Sequence, residues 1–489
     1  MGSPVRRSDL LSQILGRFRM QGFGSRFDFR RRSQALGNGH WALPLVLALV
    51  VAGCGPESPK GETPAPSGTS GQAAKDTKGT GGASSTPATD SAPGEEAPKP
   101  DNAADVAALK AAGAQLRSTG NSVVAVDLSE QNGTDEILLH LKGLPALKTV
   151  ILAGPSYSPE GLAHLGELVP LKRLEMEATR ANDSVLAALK PLVNLEVLKL
   201  FKTDVRDEGL KNLVALTSLK DLDLRRTLTS DPGVANLKGL DSLKMLKLQD
   251  TRVTEACLDD VSTFPKLEGL GISGTNFSDA ALKKIGKLTR LHSLQLDDTL
   301  ITDAGLANLE PLTRLDVLHL RRTHVGDAGL AHLAGLSKMR VLMLRDTLVG
   351  DAGIAHLAGM PNLDTLEISE TQVGDKGLAT LAGLKKLARL LIWKTQMTAA
   401  GMDSLNGLTN LLELNLDSCE ISDDSLKKLE GLKRLENLNL GSTPISDAGL
   451  DHLKGLTSLR HLDLSNASEI TNSGIEKLKK SLPECHIKH

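Results

Sequence analysis

The side chains of this sequence that could do chemistry are four cysteines, twelve histidines, a recurrent aspartate and the tryptophan Trp393. Cys257, Cys419 and Cys485 form no Cys-x-x-Cys pair and, with Cys54 set aside, are odd in number, so they read as small core residues rather than ligands or nucleophiles. His140, His164, His332, His356 and His452 recur at one position of a repeated unit, with no cysteine or carboxylate at metal-ligand spacing to complete a site. The sequence contains no glycine-rich phosphate loop, nucleophile elbow or paired zinc motif. These absences read as a non-enzymatic chain with no cofactor, metal or small-molecule substrate. The chemistry left is recognition, which depends on where the aromatic, methionine and arginine side chains are held.

What holds them is a repeat. A chain of 489 residues exceeds one ordinary hydrophobic core, and with only 2% aromatic residues its interior must reuse a single aliphatic shape. The net charge of −2 hides an asymmetry: residues 1–53 carry eight Arg and two acids, which leaves 49 basic against 57 acidic groups, or −8, for the rest. A mildly acidic body has no electrostatic footprint for nucleic acid or for an anionic membrane surface.

The N-terminus reads as an address. Trp41 to Gly53 is an uncharged apolar run behind Arg30, Arg31 and Arg32, too short to span a bilayer and suited to a signal segment. It ends in Val51-Ala52-Gly53-Cys54, which resembles the bacterial lipobox. The resemblance implies removal of residues 1–53 and a lipid on Cys54, hence an exported protein anchored to the bacterial membrane. Gly55 after the cysteine points to the outer membrane or cell surface, and Met20 is an alternative start to Met1. Residues 54–102 are Gly, Pro, Ser, Thr, Ala and charged residues, too poor in apolar surface to offset ordering, and form a tether spanning roughly 40 Å.

From Val123 a period of twenty-four residues appears. Thr179, Thr203, Thr227, Thr251, Thr275, Thr299, Thr323, Thr347, Thr371, Thr395 and Thr443 are separated by multiples of it, and the frame extends to about fifteen units. In Leu315 to Leu336, LDVLHLRRTHVGDAGLAHLAGL, alternation around Leu318 and Leu320 predicts a strand, and Leu330, Leu333 and Leu336 predict a short helix. The pattern resembles the leucine-rich-repeat family across residues 123–474, nearest to bacterial repeats of the type Leu-x-Leu-x-x-Thr-x-Val-x-Asp-x-Gly-Leu, and more distantly the cysteine-containing repeats of F-box proteins. That implies an α/β, right-handed solenoid with a parallel inner sheet, short outer helices and a binding role. Eleven aspartates from Asp135 to Asp447, four residues after the ladder position, are expected to cap the helices they begin. A helical cap over residues 103–122, its helix reaching 118, and a C-terminal cap over 475–489 would close the apolar ends.

Alternation places the polar strand positions on the concave face. There Trp393, Leu391 and Met343, with Arg321, Arg345 and His319, are expected to form an exposed patch of the kind enriched in interface hot spots. Phe201, Arg225 and Arg226 make a weaker second candidate. The leading reading is a membrane-anchored module binding a protein partner through this face. The rival is a structural cell-envelope component that contacts peptidoglycan or another glycan.

Overall fold

The computed structural model describes residues 99–130 and 133–489; the signal segment, Cys54 and nearly all of the tether lie outside the described residues. Each coil is built as its leucines demand. In the coil starting at Leu315, Leu315, Leu318, Leu320, Val325, Leu330 and Leu333 are all fully buried, so strand, turn and helix fill one interior. The strand Val317–His319 and the helix Asp327–Leu333 are its two elements.

The described residues hold one sheet of seventeen strands. Gln115–Thr119 pairs antiparallel with Ser122–Leu128, and from there each strand lies parallel to the next in sequence. The register advances by one repeat per strand: Leu294 faces Leu318, which faces Leu342, Leu366 and Leu390. Most of these strands are three residues long, as in Val341–Met343 and Arg389–Leu391. So short a ladder supplies few hydrogen bonds per coil, and the turns and helices must hold the rest of the register.

The turn after each strand rests on two adjacent residues. The one before the ladder threonine is left-handed, with φ between 51° and 57° at Lys202, Arg226, Asp298, Arg322, Asp346, Glu370 and Lys394 among others. A non-glycine residue there costs about 1–2 kcal/mol. Two bonds offset it. The left-handed N–H donates to the next coil, as from Arg226 to the carbonyl of Gln249 at 3.0 Å. The threonine hydroxyl donates to the carbonyl three residues back in its own coil, from Thr203 to Leu200 at 2.7 Å and from Thr347 to Leu344 at 2.7 Å. The expected role of threonine in the turn is therefore met.

The aspartates do something the sequence reading did not foresee. Each is the first residue of its helix, where the dipole favours an acid, but its oxygens reach forward to the coil that follows. Asp279 accepts the N–H of Thr302 at 2.8 Å on one oxygen and its hydroxyl at 2.7 Å on the other. Asp207 does the same with Ser230, Asp375 with Thr398 and Asp423 with Ser446. Where the receiving residue is glycine, as at Gly326 and Gly350, only the N–H bond remains, at 2.6 Å in both. In most coils the residue that faces the preceding coil's acid is a glycine, which makes room for this grip: a Cβ on Gly377 would lie 2.6 Å from Oδ1 of Asp351.

The N-terminal cap corrects the expected helix over 103–118. The helix is Ala103–Ala111, started by Asn102, whose Oδ1 accepts from the N–H of Ala104 at 2.9 Å. Beyond it the chain turns back as a hairpin, because Gly120 at φ 58° takes the first central position of a two-residue turn between Thr119 and Ser122. The C-terminal cap is the helix Asn472–Ser481 and the strand His486–Lys488. His461 pairs with His486, a step one residue longer than the repeat.

The aspartate grip is testable by a double-mutant cycle. Gly377→Ala should destabilise the fold by about 1–3 kcal/mol through overpacking, read from the urea midpoint. In an Asp351→Ala background the same substitution should cost clearly less, because the colliding carboxylate is gone.

Candidate functional site on the open face of the sheet

The face of the sheet that points away from the leucines is lined by two rows of side chains, one from the end of each strand and one from two residues beyond it. The structure brings the candidate residues together here but not in the expected form. Trp393 and Leu391 are half-buried, and Arg321 and Arg345 are part-exposed. Met343 and His319 are a correction: they are 5% and 9% exposed. In register, Met343 lies between His319 and Glu367, both themselves buried. It forms part of the floor and is not an exposed anchor.

The cations around Trp393 are held by acids from other coils. Arg321 donates through Nε to Glu367 at 2.6 Å, two coils onward, and its Nη1 lies 3.6 Å from Asp297. His319 Nδ1 lies 3.6 Å from the same Asp297 carboxylate, and its Nε2 is buried with no hydrogen-bond partner. Arg345 donates through Nε to Glu370 at 3.0 Å, and Lys394 bonds the other oxygen of Glu370 at 3.0 Å. With its charge so held, the Arg345 guanidinium lies over Trp393, 5.0 Å from the ring centroid. That is cation–π distance, and one face of the indole is occupied from within the protein.

The second candidate has the same construction. Arg225 forks onto the fully buried Asp223, with Nη2 to Oδ2 at 2.6 Å, while its guanidinium sits 5.0 Å from the Phe201 ring; Arg226 approaches the same ring at 5.6 Å. Arg226 also pairs with Asp250 at 3.0 Å. Both clusters are therefore an aromatic ring under a guanidinium that a carboxylate orients. The composition of the strand positions revealed the rings and the arginines. The partner of Arg321 went unseen, because Arg321 and Glu367 are related only through a two-coil step.

The remaining reactive groups are absorbed into the fold. Cys257, Cys419 and Cys485 are buried free thiols, and burial, with Asp231 nearby, pushes the Cys257 thiol up to about 12. Four of the five outer-helix histidines meet a single carboxylate: His140 meets Asp105 at 2.7 Å, His164 meets Glu167 at 3.0 Å, His332 meets Glu310 at 2.7 Å, and His452 meets Glu430 at 2.9 Å. Among the described residues no three His, Cys, Asp or Glu side chains are placed to hold a metal ion, and no helix is long and apolar enough to cross a membrane.

Coils of strand and short helix, stacked at a constant step around aligned leucines, make this a leucine-rich-repeat solenoid. The family model described as Leucine Rich repeat matches residues 359–382, 407–429 and 455–479. A comparison with curated proteins found no match. Among solved structures, an internalin from Listeria monocytogenes is similar at 23% identity, covering 78% of this chain and 92% of that one with a TM-score of 0.49. A leucine-rich-repeat protein of Leptospira interrogans is 20% identical, covering 80% of this chain and 100% of that one, also with a TM-score of 0.49.

The Asp297 site has a pH signature. Burial alone would raise its carboxyl; the hydrogen bond and charge of His319, the charge of Arg321 and the Arg321 N–H, which donates at 2.8 Å, outweigh burial and hold it below its ordinary 3.8. A depressed carboxyl stabilises the folded state above the unfolded value, and that contribution is lost as pH falls through the folded one. The carboxyl carbon of Asp297 should thus titrate below 3.8 by NMR, and in His319→Ala its midpoint should rise.

Proposed function

We propose that this chain is a non-enzymatic interaction module, tethered to the bacterial membrane by lipid on Cys54, that binds a protein partner through the open face of its sheet around Trp393. The observation that carries this reading is Arg345 stacked 5.0 Å above Trp393 and held there by Glu370. Interface hot spots are enriched in tryptophan and arginine, and a guanidinium already oriented by a carboxylate loses little further freedom when a partner arrives. Arg321, fixed by Glu367, and Leu391 extend the surface. Met343 and His319 support it from beneath. Phe201 with Arg225 and Arg226 offers a second contact of the same kind.

The test is capture of partners from the protein's own cells by affinity pull-down and mass spectrometry, followed by affinity measurements on the partner found. Trp393→Ala should fold normally by circular dichroism and weaken that binding by about 2 kcal/mol or more. Undiminished binding by a well-folded Trp393→Ala variant removes the site assignment, and retention of the protein on purified cell wall supports the glycan-binding rival. Anchoring is tested separately. Metabolic labelling with a fatty acid should mark the wild-type protein and be abolished in Cys54→Ala, which should also leave the membrane fraction.

A further inference from the structure

A second surface lies along the edge of the sheet where the strands begin. There an open groove of about 590 Å3 crosses successive coils, and its outer wall is one residue repeated at the period of the chain: Arg314, Lys338, Asn362, Lys386, Asn410 and Arg434. In the two coils before Arg314 the same position is Lys266 and Arg290, so eight consecutive coils place a cation or an amide there and none places an acid.

The pairing of these cations sets them apart from the other repeated charges. Toward the N-terminal half the strand edge neutralises itself: Glu196 accepts from Lys172 at 3.1 Å and from Lys220 at 2.6 Å, and Glu268 from Lys244 at 3.2 Å. In the groove, Arg314 and Lys338 have no hydrogen-bond or ion-pair partner among the described residues. Lys386 bonds the amide oxygen of Asn362 at 2.6 Å, and Arg434 that of Asn410 at 2.7 Å. Both amides are oriented in turn, Asn362 by donating to the carbonyl of Ser337 at 2.9 Å and Asn410 to that of Lys385 at 2.8 Å. The amides hold the two cations in position without cancelling their charge. The inner wall has two acids, Asp316 and Asp364, and Arg340 lies 2.9 Å from Asp364. The groove thus keeps a net positive charge on a protein whose body is acidic.

We propose that this groove is a binding site for an extended acidic peptide segment of a partner protein. Lys338, Lys386 and Arg434 stand two coils apart, and at about 4.8 Å per neighbouring strand that spacing is about 10 Å. A polyproline II segment advances about 9 Å per three-residue turn. An acid at every third residue would therefore meet each cation in succession. The groove has no Phe, Tyr or Trp on which bases could stack in succession, only the single imidazole of His292, which disfavours single-stranded nucleic acid. The site is separate from the Trp393 surface and does not rest on it.

The experiment is fluorescence anisotropy of the full chain with a labelled peptide of Glu-Pro-Pro triplets, roughly eight to twelve residues long. Its controls are a Gln-Pro-Pro peptide and a peptide of the same composition with its glutamates in one block. The triplet peptide should bind about tenfold more tightly than the glutamine control and clearly more tightly than the block. Lys338→Glu with Lys386→Glu should abolish most of that binding, Lys338→Gln with Lys386→Gln should weaken it by less, and Trp393→Ala should leave it unchanged. All three side chains in the proposed contact row are exposed, and circular dichroism checks that the variants fold. Equal binding of the block peptide, or binding that survives charge reversal, overturns the proposal. A sulfated oligosaccharide of equal charge that binds more tightly than the triplet peptide overturns it in favour of a polyanionic glycan.

Discussion

The fold depends on a carboxylate in one coil holding the backbone of the next. Leucine burial supplies the bulk of the driving force, but it is non-directional, and a column of identical side chains tolerates small slides and rotations. Strands of three residues add few directional bonds. The Asp279–Thr302 contact and its equivalents act at the other end of the coil, where the helix begins, with a charge-assisted bond to the N–H and in several coils a second to the hydroxyl. Each coil that carries the acid is thereby fastened at two separated places, the strand and the helix start, which opposes relative rotation. This explains a motif that propensity alone does not. Glycine near the helix start is a poor helix residue, and in most coils it stands where the preceding coil's carboxylate occupies the space a side chain would need.

The same forward reach organises the open face. Arg321 meets Glu367 and Arg345 meets Glu370, so the charges of this surface answer one another across coils. Glu367 is buried, so removing Arg321 would leave its charge uncompensated, whereas both members of the Arg345–Glu370 pair are part-exposed. The carboxylates orient the guanidiniums that lie over Trp393 and Phe201.

How much of this the sequence disclosed follows from what repetition can and cannot encode. The threonine period, the leucine spacing and the strand–helix alternation are one-dimensional signals, and the coil, the sheet register and the buried cysteines follow from them. The residues of the open face were also identifiable, because alternation within a strand decides which side a residue faces. Their exposure was not. Met343 is apolar and points outward, yet its neighbours in register cover it, and coverage depends on the length and pairing of side chains in three coils at once. The aspartate was assigned to its own helix because capping logic is local, whereas its partner lies twenty-three residues away. The groove residues were missed for a related reason: Arg314, Lys338, Lys386 and Arg434 look like ordinary solvated charges until the register aligns them.

The uniformity of the inter-coil contact also bears on how such a chain can change length. Removing residues 327–350 would leave Asp303 bonded to Gly326 and bring Gly353 into the place that Gly329 now holds beside it. Every new junction would reproduce an old one, so in-frame recombination between coils can shorten or extend the gene without creating an unfamiliar interface. The caps, whose final step is one residue longer, are exempt from this exchange. The ends of the array are therefore inherited as fixed pieces while its interior is free to vary in number.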